Sequence, residues 1–179
     1  MSSNINLSSG LRLSLTVNST EVYSGKTVRI SVDLFNPLIT PVNLSVAKLW
    51  PSNAYLFMPP SVSCGVLNYP VGMGIFKGYY STSNMSLVRP FYLAVANGSR
   101  PVFTSCPPIF LIRYHYFHPQ SDIVGGVKAN GTYGLRGYWV VFTDHIPTYS
   151  VFHDLEPGAY TVIAATEWGD VTFLHFVVK

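Results

Sequence analysis

From Leu11 to Asn18 apolar and polar residues alternate without a break. Leu11, Leu13, Leu15 and Val17 share one face; Arg12, Ser14, Thr16 and Asn18 share the other. A period of two marks a strand with one buried and one wet side. The pattern restarts after Tyr23-Ser-Gly-Lys26, which reads as a turn. Val28, Ile30, Val32 and Leu34 then alternate with Arg29, Ser31 and Asp33, until Asn36-Pro37 ends the run. A third run from Val42 to Trp50 places Val42, Leu44 and Val46 inward and Asn43 and Ser45 outward. Near the C-terminus, Tyr138 to Thr143 reads as a strand. The turn Leu155-Glu-Pro-Gly-Ala-Tyr160 feeds another through Tyr160, Val162 and Ala164. Val171 to Lys179 is apolar on both faces, so it is expected in the middle of a sheet or beneath a further element.

Helical periodicity is nearly absent, and 13 prolines and 14 glycines punctuate the chain. The expected fold is all-β, an antiparallel sandwich with an elaborated middle from about Pro51 to Gly126. With 179 residues and no linker-like tract, residues 11–179 are expected to form one domain. Polar residues 1–10 read as a flexible leader.

Charge narrows the setting. Only 11% of residues are charged, and the net charge of +3 rests on few groups. Soluble proteins carry roughly 25%. No basic run is present, so nucleic acid is not an expected partner. No apolar run approaches the roughly 18 residues of a transmembrane helix. Met1-Ser-Ser-Asn has no basic and apolar signal pattern, so an exported chain would have to have lost its signal.

Two features favour export. Sequons occur at Asn6, Asn18, Asn43, Asn84, Asn97 and Asn130. Composition alone gives about two, and a used sequon is a surface site of a secreted protein. Asn18 and Asn43 fall on the wet faces of their expected strands. The two cysteines, Cys64 and Cys106, lie in Ser63-Cys-Gly and Ser105-Cys-Pro-Pro, outside any CxxC motif. In an exported chain they suggest one disulfide, closing a loop of about 43 residues and stabilising by about 4 kcal/mol.

The segment Val22-Tyr-Ser-Gly-Lys-Thr-Val28, the strand after it and Phe35-Asn-Pro resemble the first strands of immunoglobulin-like and fibronectin-like domains. Leu155-Glu-Pro-Gly-Ala-Tyr160 resembles their tyrosine corner, in which the hydroxyl bonds back to the turn backbone. The cysteines do not stand at the antibody B and F positions. Sequon density and scarce charge are similar in style to immunoglobulin-like subunits of archaeal threads and bundling pili. That resemblance implies a homopolymer built by donor-strand complementation, with Leu11, Leu13, Leu15 and Val17 as the donated interface. The residues leave a second possibility open: the strand completes its own sandwich.

Chemistry finds little purchase. In a strand His115 and His118 point to opposite faces, and His145, His153 and His175 are scattered. Neither a hydrolase motif nor a phosphate loop is present, so no catalytic residue, metal or cofactor is assigned and no enzyme is expected. Aromatics reach 15%. Trp50 and Trp168 are expected in the core, whereas Tyr79, Tyr80, Tyr114 and Tyr116 are candidates for an exposed surface that stacks on sugar rings. A monomeric carbohydrate-binding or adhesion module, with polysaccharide as partner, is therefore the alternative to a structural subunit.

Overall fold

The alternating runs form the first sheet of a computed structural model that describes residues 1–47, 49, 70–85, 95–96, 113–143 and 147–179. Strand β2 (Arg12–Val17) pairs antiparallel with β4 (Val28–Phe35), Leu15 opposite Val32. Leu11, Leu13, Leu15 and Val17 are fully buried, as are Val28, Ile30 and Leu34. The turn between the runs needs Gly25 at φ +78°, where a Cβ would be strained, and it closes with a 2.9 Å bond from the Lys26 N–H to the Tyr23 carbonyl.

Residues 1–10, expected as a flexible leader, contain strand β1 (Ser2–Asn6), paired antiparallel with β2 along its length. The pairing arises because Ser9-Gly10 turns the chain back, with the Gly10 N–H donating to the Leu7 carbonyl. The open end of this hairpin is fastened twice: the terminal amine donates to the Val17 carbonyl at 2.7 Å, and the Val17 N–H donates to the Met1 carbonyl at 2.9 Å. Strand β11 (Asn130–Leu135) completes the sheet in the order β1-β2-β4-β11.

The second sheet has the order β3-β15-β14-β6, from β3 (Glu21–Val22), β15 (Val171–Val178), β14 (Gly158–Thr166) and β6 (Val71–Lys77). All its pairings are antiparallel except β3 with β15. Strand β2 packs across β14 and β15, and β4 across β6, so the two sheets share one apolar core. Burying apolar side chains here contributes about 1.5–3 kcal/mol for each Leu, Ile, Val or Phe. The fold is thus all-β and sandwich-like, with no α-helix among the described residues.

The doubly apolar last strand lies inside its sheet, between β3 and β14. Its second face is covered only in part: Val171 and Phe173 join a smaller cluster with Phe76, Ile163, Tyr80 and Met85, whereas Val177 is exposed. Tyr160 lies between the sheets, and its hydroxyl donates to the Glu156 carbonyl at 2.9 Å, the bond expected of this turn.

Two smaller sheets use much of the middle of the chain. One has the order β10-β9-β8-β5, from β5 (Val42–Ser45), β8 (Tyr114–Phe117), β9 (Ile123–Val124) and β10 (Val127–Lys128). The other has the order β13-β12-β7, from β7 (Val95–Ala96), β12 (Gly137–Thr143) and β13 (Pro147–Asp154). The expected third strand is shorter than its apolar pattern, ending at Ser45. Asn36 joins the first sheet to the β8 region. Wholly buried, it donates to the Thr40 and His118 carbonyls, both at 3.0 Å, and accepts from the Leu38 N–H.

Candidate functional site

Strands β5 and β8 bring together the exposed tyrosines and a sequon. Their antiparallel register sets Val42 opposite Phe117, Asn43 opposite Tyr116, Leu44 opposite His115 and Ser45 opposite Tyr114. Alternation sorts these pairs by face: Val42, Phe117 and His115 are buried, whereas Asn43, Ser45, Tyr114 and Tyr116 are exposed. Tyr114 is 59% and Tyr116 46% exposed. The Val46 N–H donates to the Arg113 carbonyl at 2.9 Å. That bond makes Val46–Arg113 and Leu44–His115 the hydrogen-bonded pairs. Asn43–Tyr116 and Ser45–Tyr114 are then non-hydrogen-bonded pairs, with Cα atoms about 4.5 Å apart and side chains drawn close. His118, just beyond the end of β8, stands edge-on to Tyr116 with centroids 5.2 Å apart.

A polar clamp holds this pair of strands from beneath. His115 Nε2 lies 3.0 Å from Glu167 Oε1, with the two side chains only 2% and 3% exposed. The contact is close but not aligned as a hydrogen bond. The same Glu167 oxygen accepts the Ala47 N–H at 3.1 Å. Its neighbour Trp168 donates Nε1–H to the Ser45 carbonyl at 2.9 Å and meets the His115 ring edge-on at 5.7 Å. The turn after β14 therefore grips both ends of the Ser45–Ala47 segment. Trp168, expected in the core, is only partly buried and packs at its margin. Glu167 had no sequence signal; it is a single carboxylate after Ala164-Ala165-Thr166, and a period-two reading cannot tell its burial.

The described sequon asparagines fall into two groups. Asn6, Asn18 and Asn43 are exposed. Asn18 Oδ1 accepts the Arg29 N–H at 2.7 Å. Asn84 and Asn130 are half-buried, and their amides are used internally. Asn84 accepts from the Ser81 N–H and donates to the Tyr79 carbonyl. Asn130 donates Nδ2–H to Asp122. Asn97, Cys64, Cys106, Trp50 and His145 lie outside the described residues.

The other candidates are separated. Tyr79 is 66% exposed but lies flat on His175, with centroids 3.9 Å apart. Tyr80 is half-buried, and its N–H donates to Thr161 Oγ1. His115, in β8, is buried, and His118, just past the end of that strand, is exposed. Among the described residues no three His, Cys, Asp or Glu side chains gather as a metal set. Leu11, Leu13, Leu15 and Val17 face this chain's own core, between β1 and β4.

Asp33 stands opposite Asn130 on the first sheet. Burial pushes its carboxyl above the ordinary range, the nearby Asp122 charge adds to this, and Arg12 offsets part of it. One Asp33 oxygen is buried with no hydrogen-bond partner.

No family model matches the chain, nor does any curated protein or any solved structure.

Proposed function

We propose that the protein is an extracellular structural subunit that builds a filament or surface coat by donating its N-terminal strand to a neighbouring copy. One observation carries this reading. Leu11 and strand β2 together give the core four wholly buried aliphatic side chains, yet residues 18–20 alone connect β2 to β3 in the other sheet. Four such side chains are worth about 8 kcal/mol of burial. The same groove in a second copy offers the same contacts, so a short crossover that opens converts a closed subunit into an open head-to-tail chain. Strand β1 would travel with β2, since the hairpin is fastened at its open end.

The immunoglobulin-like resemblance is supported by the two-layer core and by the Tyr160–Glu156 bond. Export and N-glycosylation are supported by the exposed positions of Asn6, Asn18 and Asn43. Glycans there would blunt exposed sheet edges against unwanted pairing.

Negative-stain microscopy of native material tests the assembly. Filaments that vanish when residues 1–17 are deleted are expected. A cysteine pair at Leu15 and Val32 adds a second readout, because exchange makes the crosslink intermolecular. A monomer with only intramolecular crosslinks would overturn the proposal.

The exposed Tyr114 and Tyr116 favour a second reading, a monomeric carbohydrate-binding or adhesion module. Retention on polysaccharide columns, lost on substituting both tyrosines, would support it.

A further inference from the structure

We infer that Tyr116 is the seat of the protein's own glycan: the first sugar on Asn43 packs its C–H face against the Tyr116 ring. The inference rests on the reading that the chain is N-glycosylated.

The argument begins with register. Asn43 and Tyr116 are directly opposite, both on the wet face, in a non-hydrogen-bonded pair. Such side chains have Cβ atoms about 4.5–5.5 Å apart. That is also the spacing at which two flat rings stack. A pyranose joined to Asn43 Nδ2 would therefore stand beside the tyrosine ring at stacking distance, with no change of backbone.

Tyr116 is 46% exposed. On its other flank β8 meets β9, where the Gly125 N–H donates to the Tyr116 carbonyl at 3.3 Å and glycine offers no side chain. His118, just past the end of β8, meets the ring edge-on. Beneath, Glu167 and Trp168 hold Ser45 and Ala47, so β5 presents Asn43 from a fixed backbone. Ser45, the hydroxyl residue of the same sequon, faces the second tyrosine, Tyr114.

The other described sequons lack this arrangement. Asn6 stands opposite Arg12, whose guanidinium lies over Phe35. Asn130 stands opposite Asp33, and the amides of Asn84 and Asn130 are already bonded. Asn18 follows the end of β2, with its oxygen on the Arg29 N–H. The ligand class is thus a hexose or N-acetylhexosamine in N-linkage, bound by the protein that carries it.

The experiment uses the glycosylated protein itself. Mass spectrometry first reads occupancy at Asn43. NMR then compares its first-sugar protons with those of the proteolytic glycopeptide. Ring-current upfield shifts are expected in the folded protein, lost in Tyr116→Ala, kept in Tyr116→Phe and unchanged in Tyr79→Ala. Tyr116→Ala should also lower the melting temperature by about 2 °C more in the glycosylated protein than in an Asn43→Gln background. An occupied Asn43 with unshifted sugar protons would overturn the inference alone. An unmodified Asn43 in native material would remove glycosylation at this site and the inference with it.

Discussion

Replacing Tyr160 by Phe isolates one hydroxyl in the middle of the fold. The ring is 2% exposed and stacked on Phe176, centroids 5.3 Å apart, and phenylalanine keeps that packing. What disappears is the 2.9 Å bond to the Glu156 carbonyl. A neutral hydrogen bond contributes about 0.5–1.5 kcal/mol net. Glu156 is exposed, so its carbonyl can take a water in exchange, and the expected cost is about 1 kcal/mol. In a domain of this size that lowers the melting temperature by about 2–4 °C, measured by calorimetry at neutral pH. The same residue gives an alkaline signature. Burial first, then the Glu156 and Tyr138 charges, push the Tyr160 hydroxyl up to about 12 from 10.0. The folded chain keeps this proton where the unfolded chain releases it. The stability it contributes is therefore whole below pH 10 and is lost as the pH rises from about 10 to about 12. The wild-type advantage over Tyr160→Phe should shrink across that window. A variant as stable as wild type at pH 7, or a difference that does not change between pH 9 and 12, would refute this account of the corner.

Substitutions at three further positions probe other parts of the fold. Leu15→Ala should cost about 2–5 kcal/mol in urea denaturation, because a fully buried side chain in a paired central strand leaves a cavity that cannot collapse. Glu167→Ala should cost about 1–3 kcal/mol by the same assay, since the partly buried Ala47 N–H loses its acceptor; Glu167→Gln keeps an acceptor for Ala47 and should cost clearly less. Asp33→Asn should raise the melting temperature at pH 7. The raised Asp33 carboxyl contributes stability that is whole below about pH 4 and is lost as the pH rises through its folded value, so the gain should vanish near pH 3 in a pH series of melts.

What the sequence made legible follows from period. Where one face is wet and the other dry, as in β2 and β4, alternation gave the strand, its inward residues and the exposure of Asn18 and Asn43. Where both faces are covered, as in β14 with Tyr160 to Glu167 all buried, alternation carries no sign of depth. That is why Glu167 passed unnoticed. The β1 strand was hidden for the opposite reason: Ser2–Asn6 is too polar to announce a strand, and its order comes from pairing to β2. Tyr114 and Tyr116 were recognisable as surface residues. That Tyr116 faces Asn43 was not, because the partners are 73 positions apart and only tertiary register joins them.

The parallel pairing of β3 with β15 has a mechanical consequence. The Val177 N–H donates to the Thr20 carbonyl, the Lys179 N–H to the Val22 carbonyl and the Ser24 N–H to the Lys179 carbonyl, all between 2.8 and 2.9 Å. A pull transmitted from residues 1–17 through residue 18 runs along β3, across the direction of these bonds. They would be loaded together, in shear, instead of opening one after another. Strand β15 thus anchors the segment that follows β2, and a pull that reaches residue 18 is met there by bonds acting side by side.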